Sequence, residues 1–144
     1  MGAGCMSKRI ESERITINCS SEKNYNFLSD FKNFTRLLPE QVSNWQCSGD
    51  FCSFEVRGLP EIGLRIIDKT PFYGIRMKSE GKLPFNFTFN TIIEETAPQR
   101  CEVQLVIDSD MNPFIAVMAA NPLQNFVDML LSKLKVEMEK TMDN

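Results

Sequence analysis

The sequence contains no histidine, the side chain that most often acts as a general base or a metal ligand. This absence excludes Ser-His and Cys-His nucleophile pairs and leaves carboxylates and tyrosines as candidates for acid–base chemistry. Clusters of basic residues are absent too, because 16 Lys and Arg are scattered among 19 Asp and Glu and give a net charge of −3. We therefore expect no nucleic-acid partner.

Long apolar runs are also missing from the sequence. No stretch reaches the ~18 to 20 consecutive apolar residues that span a bilayer, so we expect no stable membrane insertion. No apolar signal segment opens the chain, and residues 1–9 are predicted to form a disordered leader. The 144 residues suffice for one domain, which we place at residues 10–141 because no repeat or linker divides them.

The cysteine content favours a reducing compartment. An odd number of cysteines without a secretion signal predicts free thiols and a cytoplasmic location. Structural zinc needs four ligands, and the sequence has no Cys-x2-Cys pair, so neither a metal nor another cofactor is predicted. The five cysteines are Cys5, Cys19, Cys47, Cys52 and Cys101.

Hydrophobic periodicity predicts one strand, two short helices and then a run of strands. Residues 14–19 alternate between apolar and polar side chains, and Ser20 or Ser21 can cap a first helix. Phe31 and Phe34 lie at helical spacing in a second helix, which should end before Pro39. Residues 42–111 read as strands and turns.

The last two of these strands have the clearest alternation. One face carries apolar side chains and the opposite face carries polar ones, such as Gln104 and Asp108. This pattern is typical of an antiparallel sheet with one buried face. The apolar positions are Phe85, Phe87, Phe89, Ile93, Cys101, Val103, Leu105 and Ile107.

The C-terminal segment predicts the helix that covers this sheet. Asn112-Pro113 and Asn121-Pro122 each place a capping side chain before a proline, which predicts a short helix followed by a long one. The long helix carries a single apolar stripe. Its members are Leu123, Phe126, Val127, Leu130, Leu131, Leu134 and Met138.

The element order and several local sequences resemble the START-like, or helix-grip, superfamily, which includes Bet v 1-type allergens, polyketide cyclases and lipid-transfer proteins. The resemblance covers about residues 10 to 140 and is closest to small bacterial members. It implies an α+β fold in which a curved seven-stranded antiparallel sheet wraps around a long C-terminal helix, with two short helices between strands 1 and 2 and a cavity between sheet and helix. The similar segments are Ile15–Ile17 with Ser21–Lys23, the hairpin from Trp45 to Val56, and Met111–Phe114 with Pro122–Phe126.

An apolar cavity predicts the binding or transport of a hydrophobic small molecule such as a lipid, a polyketide or a quinone. The 11 phenylalanines and 8 methionines would supply a flat and adaptable lining. No catalytic residue is predicted. The predicted ligand-binding residues are Phe54, Ile66, Met77, Phe87, Phe89, Leu105, Ile107, Phe126, Val127, Leu130 and Leu134.

Two other functions stay open at this stage. A cyclase or dehydratase would need an ionisable side chain inside the cavity, and Asp30, Asp68, Tyr25 or Tyr73 are the candidates. A protein-interaction module of the chaperone-activator kind would need a large exposed apolar patch, around Phe72 or Phe114.

Overall fold

The computed structural model describes residues 8–81, 83 and 85–141. Its strands form one antiparallel sheet, with two short helices after the second strand and a long helix at the end. The strands are β1 (Lys8–Glu11), β2 (Ile15–Ile17), β3 (Val42–Ser48), β4 (Phe51–Val56), β5 (Ile62–Thr70), β6 (Gly74–Glu80), β7 (Phe87–Ala97) and β8 (Arg100–Ser109). The helices are α1 (Ser21–Leu28), a 3-10 helix (Phe31–Arg36) and α2 (Pro113–Thr141).

The sheet order confirms the predicted helix-grip architecture. From β3 to β8 each strand pairs with the next in sequence, and both β1 and β2 pair with β8. Strand β1 lies beside Val106–Ser109, and β2 lies beside Cys101–Val103. The predicted first strand, residues 14–19, corresponds to β2, whereas β1 is an additional strand that makes eight instead of the predicted seven. Together β1 and β2 border one edge of the sheet.

Ser12 holds the two parts of this edge together. Its backbone N–H donates to the Leu105 carbonyl at 2.9 Å, and its hydroxyl accepts from the Leu105 N–H at 3.0 Å. The break between β1 and β2 therefore leaves the buried N–H and C=O groups of Leu105 in β8 hydrogen-bonded. Strand β1 begins at Lys8, inside the stretch 1–9 predicted as a leader, whereas residues 1–7 lie outside the described residues.

Helix α2 buries the predicted apolar stripe against the concave face of the sheet. Every member of the stripe is 5% exposed or less. By length and apolar composition alone, Pro113–Lys140 would also suffice to cross a membrane, a property that core helices of soluble domains share. In this fold the stripe contributes to the core of the domain.

The prediction of two consecutive C-terminal helices is wrong. Helix α2 is continuous from Pro113, and Asn121 is an exposed residue inside it. Asn112 does cap the helix, because its side-chain oxygen accepts from the Ile115 N–H at 2.9 Å. Pro122 removes one intrahelical donor, but Ala119 and Leu123 on either side are 1% exposed. Burial on both sides of the proline outweighs the lost hydrogen bond.

The alternation predicted for β8 holds on its inner face and fails in part on its outer face. Leu105 and Ile107 are buried, as predicted. Gln104 and Asp108 were expected to be exposed but are half-buried. The Gln104 amide donates to the Ser12 carbonyl at 3.1 Å, and Arg9 of β1 contacts Asp108. The edge formed by β1 and β2 covers these side chains.

The two short helices cover one end of the sheet. Ser20 caps α1 by accepting from the Lys23 N–H at 3.1 Å, as predicted. Asp30 caps the 3-10 helix by accepting from the Lys32 N–H at 2.9 Å. The aromatic residues of the 3-10 helix point inward, where they meet the side chains of β3 and β4.

Candidate ligand-binding pocket

An enclosed cavity lies between the sheet, α2 and the 3-10 helix. Its volume is about 10 Å³, which is room for about one water molecule. The described lining residues are apolar side chains and one thiol. They are Phe31, Phe34, Leu38, Trp45, Cys52, Phe54, Leu64, Met77, Phe89, Phe126 and Leu130.

A continuous series of aromatic rings forms one wall of this cavity. Phe34 stacks on Trp45 with centroids 5.8 Å apart and planes at 8°. Trp45 is followed by Phe54 at 5.6 Å, and Phe54 stacks on Phe126 at 5.5 Å and 19°. Phe89 completes the series with its edge toward Phe126. The wall thus connects the 3-10 helix to α2 through rings in favourable stacked and edge-on geometries.

The Trp45 indole is the one polar feature of the described lining besides the thiol. Its Nε1 is buried and has no hydrogen-bond partner among the described residues. A buried donor without a partner costs about 1–3 kcal/mol relative to a satisfied one. This N–H adds no polar surface to the closed cavity, so it is an unpaired donor within the wall that does not open into the void.

The thiol in the wall is uncharged near neutral pH. Burial raises the pKa of Cys52 to about 12. The described lining contains no carboxylate, amine or guanidinium. An apolar molecule therefore suits this interior, whereas a charged group would be buried there without a counterion.

The eleven predicted site residues are all buried, and the structure separates them into two groups. Phe54, Met77, Phe89, Phe126 and Leu130 line the cavity. The others lie in the surrounding core, and their part in binding stays a prediction. This second group comprises Ile66, Phe87, Leu105, Ile107, Val127 and Leu134.

The predicted site lacked the residues of the 3-10 helix, and from the β3–β4 hairpin it included Phe54 but neither Trp45 nor Cys52. The helical spacing of Phe31 and Phe34 indicated an apolar face, and the turn signal at Ser48–Asp50 indicated the β3–β4 hairpin. Neither pattern says that these two elements meet. The contact arises only when the helix folds back over the hairpin.

A larger depression of about 550 Å³ lies at one end of the outer sheet face. Lys78, Asp108 and Asp110 are among its lining residues, and it is open to solvent. It therefore lacks the enclosure of a small-molecule site. Among the described residues, no group of three Cys, Asp or Glu side chains is placed to hold a metal ion.

Comparison with known proteins defines the class of fold. No family model matches the chain, and no curated protein matches it in sequence. Norcoclaurine synthase from Thalictrum flavum, solved with dopamine and hydroxybenzaldehyde, superimposes with a TM-score of 0.77 at 11% identity, covering 95% of this chain and 89% of the synthase.

Two bacterial structures are also similar. A START superfamily protein from Mycobacterium smegmatis gives a TM-score of 0.69 at 13% identity, covering 92% of this chain and 98% of that one. The Zhui aromatase/cyclase of a Streptomyces species gives 0.68 at 13% identity, covering 95% and 96%. The chain has a START-like, helix-grip fold. At these identities the likeness shows the fold alone.

Proposed function

We propose that this protein binds a hydrophobic small molecule between the sheet and α2, at the aromatic wall. The observation that carries the proposal is the combination of Phe34, Trp45, Phe54 and Phe126 around a residual cavity with an unpartnered indole N–H. The N–H does not open into the closed cavity, so a ligand would reach it only after the lining moves. A ligand with one hydrogen-bond acceptor would satisfy the donor and stack on the rings.

The cavity of about 10 Å³ is a closed form of this site, because it is far smaller than the ~300 Å³ of a typical ligand pocket. Binding therefore requires a part of the lining to move. The 3-10 helix is the best candidate, because it is a short element joined to α2 by an exposed contact between Arg36 and Glu137. Displacing Phe31 and Phe34 would enlarge the space next to Trp45.

The ligands bound in a structure of similar fold support an aromatic ligand. Norcoclaurine synthase was solved with dopamine and hydroxybenzaldehyde, both small aromatic molecules. Another protein of this fold is an aromatase/cyclase. For this chain we propose a planar, largely apolar molecule that carries a carbonyl or ether oxygen. The cytoplasmic location stays a prediction from the cysteine content.

Catalysis of the cyclase type has weaker support than binding. Of the four candidate acids and bases, none lines the described part of the cavity. Tyr25 is buried, but its ring packs edge-on against Phe72 at 5.8 Å. Asp30 caps the 3-10 helix, and its carboxylate is exposed.

A protein-interaction function is the second candidate, because α2 has an exposed apolar patch near its start. Phe114, Val117 and Met118 are 76%, 81% and 61% exposed. Isolated apolar side chains are common on surfaces, but three on one helix face favour a contact. Phe114→Ser would abolish such a contact and leave the interior site intact. A function that depends on a protein partner should therefore be lost in this variant, whereas binding of a small molecule should not change.

The test uses the delipidated full-length protein and two ligands of similar shape, flavone and 2-phenylnaphthalene. Flavone has a carbonyl acceptor and 2-phenylnaphthalene has none. A ligand that binds only the folded state adds ~2.7 kcal/mol at a hundred times its dissociation constant, so both should raise the melting temperature. Trp45→Phe should weaken flavone about tenfold, as expected for a lost hydrogen bond, and weaken 2-phenylnaphthalene much less, because only ring contact is lost.

Gln46→Ala is the matched control for this variant, because Gln46 lies on the exposed face of β3 next to Trp45. It should leave both ligands unaffected. If neither ligand shifts the melting temperature, and native mass spectrometry finds no co-purified small molecule, the proposal fails. Recovery of a chemically converted ligand would instead identify an enzyme.

A further inference from the structure

The two central cysteines of the β3–β4 hairpin face each other. Cys47 and Cys52 are direct partners in the antiparallel register, and the closing pair is Ser48 with Phe51. Gly49 in the turn has a φ of +59°, which suits the first position of a two-residue hairpin turn. The hairpin therefore fixes the two cysteines opposite each other.

The geometry of this pair suits a disulfide. The closing pair of a two-residue hairpin exchanges both hydrogen bonds, so the next pair is a non-hydrogen-bonded one with Cα atoms about 4.5 Å apart. Disulfides span Cα separations of about 4.4–6.8 Å. Both side chains also lie on the same face of the hairpin, because Cys52 is buried and Cys47 is half-buried while their neighbours Gln46 and Ser48 are exposed.

We propose that Cys47 and Cys52 form a reversible cross-strand disulfide, which makes the β3–β4 hairpin a thiol-oxidation site. Both cysteines are free thiols in this structure. The proposal does not depend on ligand binding, because it rests on the hairpin register and on the unequal exposure of the two sulfurs.

The oxidant is an organic disulfide such as oxidised glutathione. The Cys47 thiolate attacks one of its sulfurs, which forms a mixed disulfide and releases one glutathione thiolate. The Cys52 thiolate then attacks the Cys47 sulfur, which forms the Cys47–Cys52 bond and releases the second glutathione thiolate. The two cysteine protons pass to the two glutathione thiolates, so the protein loses two electrons and the oxidant gains them.

The unequal exposure of the two cysteines sets the order of these steps. Cys47 is half-buried and accessible to the oxidant, whereas Cys52 is fully buried and reacts only with a sulfur that is already beside it. Burial also raises the pKa of Cys52, which makes the second step the slower one. The mixed disulfide at Cys47 should therefore be detectable before the internal bond forms.

The buried cysteines Cys19 and Cys101 provide an internal control. Cys101 is the register partner of Ile17, and Cys19 follows two residues later in the chain. Cys19 lies beyond the end of β2, so the two cysteines are not register partners. Both should remain reduced in the folded protein while Cys47 and Cys52 react.

The experiment equilibrates the folded full-length chain in glutathione buffers of increasing oxidised fraction, followed by trapping of free thiols and tryptic mass mapping. Residues 37–57 form one tryptic peptide that contains both cysteines. The prediction is a loss of about 2 Da in this peptide alone, reversed by reduced glutathione. Amide exchange in β3 and β4 should also slow on oxidation.

Two variants complete the test. Cys47→Ser should abolish both the mass change and the slowed exchange, and Cys101→Ala should abolish neither. If residues 37–57 remain reduced, if they stop at a mixed disulfide, or if Cys19 and Cys101 join instead, the proposal is wrong.

Discussion

The interior of this domain has two sides that are built differently. Next to β8 the core is aliphatic, and Val103, Leu105 and Ile107 of that strand are 0–2% exposed. Next to β3 and β4 the core is aromatic, with a residual cavity, an unpaired indole N–H and a half-buried tryptophan. The aliphatic side comprises Val103, Leu105, Ile107, Val127 and Leu134, and the aromatic side comprises Phe31, Phe34, Trp45, Phe54 and Phe126.

Under the proposed function, this difference separates the residues that stabilise the fold from those that would contact the ligand. The aliphatic side is tightly packed against α2, so a change of volume there should cost folding energy directly. The aromatic side keeps an unsatisfied donor and a void, so it should yield more readily to a ligand. Substitutions on the two sides should therefore have different consequences.

The largest effect is expected on the aliphatic side. Leu105→Ala should lower the free energy of unfolding by ~2 to 5 kcal/mol, because Leu105 is 2% exposed and its truncation leaves a cavity. Gln104→Ala, its neighbour on the outer face, should lose about 1 kcal/mol or less with one hydrogen bond. Urea denaturation measures both values, and equal midpoints would show that the face assignment is wrong.

The second effect concerns the thiol on the aromatic side. Burial raises the pKa of Cys52 from 9.0 to about 12. The folded state favours the neutral thiol. The contribution of Cys52 to the free energy of unfolding is therefore complete below the pKa of the thiol in the unfolded state, and it is lost as the pH rises from about 9 toward about 12. Between about pH 8 and about pH 10.5, the wild-type protein should lose ~1 to 2 kcal/mol more stability than Cys52→Ala.

This pH comparison has a clear contradictory outcome. If chemical denaturation shows the same decline in both proteins, Cys52 does not titrate as a buried thiol. Cys101, whose pKa burial raises to about 11, remains in both proteins and contributes equally to both curves.

The sequence predicted the aliphatic side better than the aromatic side, for a physical reason. In β7, β8 and α2, the spacing of the apolar residues places them on one face of each strand or helix. The inward orientation of Leu105 and the apolar stripe that includes Leu130 can therefore be predicted from the local sequence. Trp45 and Phe34 belong to different elements, and their stacking depends on how the 3-10 helix folds back. The size of the cavity depends on how closely the helices pack onto the sheet, and hydrophobic periodicity does not determine this distance.

Pro122 illustrates the opposite error, in which a local signal is overridden. Asn121-Pro122 has the local features of a helix start, yet α2 continues through it because the sheet buries residues on both sides. Local capping preferences of about 1 kcal/mol are smaller than the burial of several apolar side chains.

A third, smaller effect tests this reading of α2. Asn112→Ala should lose ~1 kcal/mol, because it removes the acceptor for the Ile115 N–H. Asn121→Ala should stay within about 0.5 kcal/mol, because Asn121 is an exposed mid-helix residue. Thermal and urea unfolding of the two variants give the comparison, and the reverse order would restore the two-helix interpretation.

A small effect on stability is also expected at the centre of the aromatic wall. Trp45→Phe should change the free energy of unfolding by about 1 kcal/mol or less, because the loss of ring contacts is offset by the removal of an unpaired donor. A loss as large as that of Leu105→Ala would mean that both sides of the core are equally rigid, and it would remove the distinction between scaffold and site.

The most direct test of the central claim is the indole resonance of Trp45 in a nitrogen-15 NMR titration of the delipidated protein with flavone. The chain has 1 tryptophan, so the spectrum has one indole N–H signal. We predict that this signal moves downfield as the N–H gains an acceptor, with saturation at the same ligand concentration as the thermal shift. An indole signal that stays in place at saturating flavone, while residues on the outer sheet face or near Phe114 shift, would contradict the account.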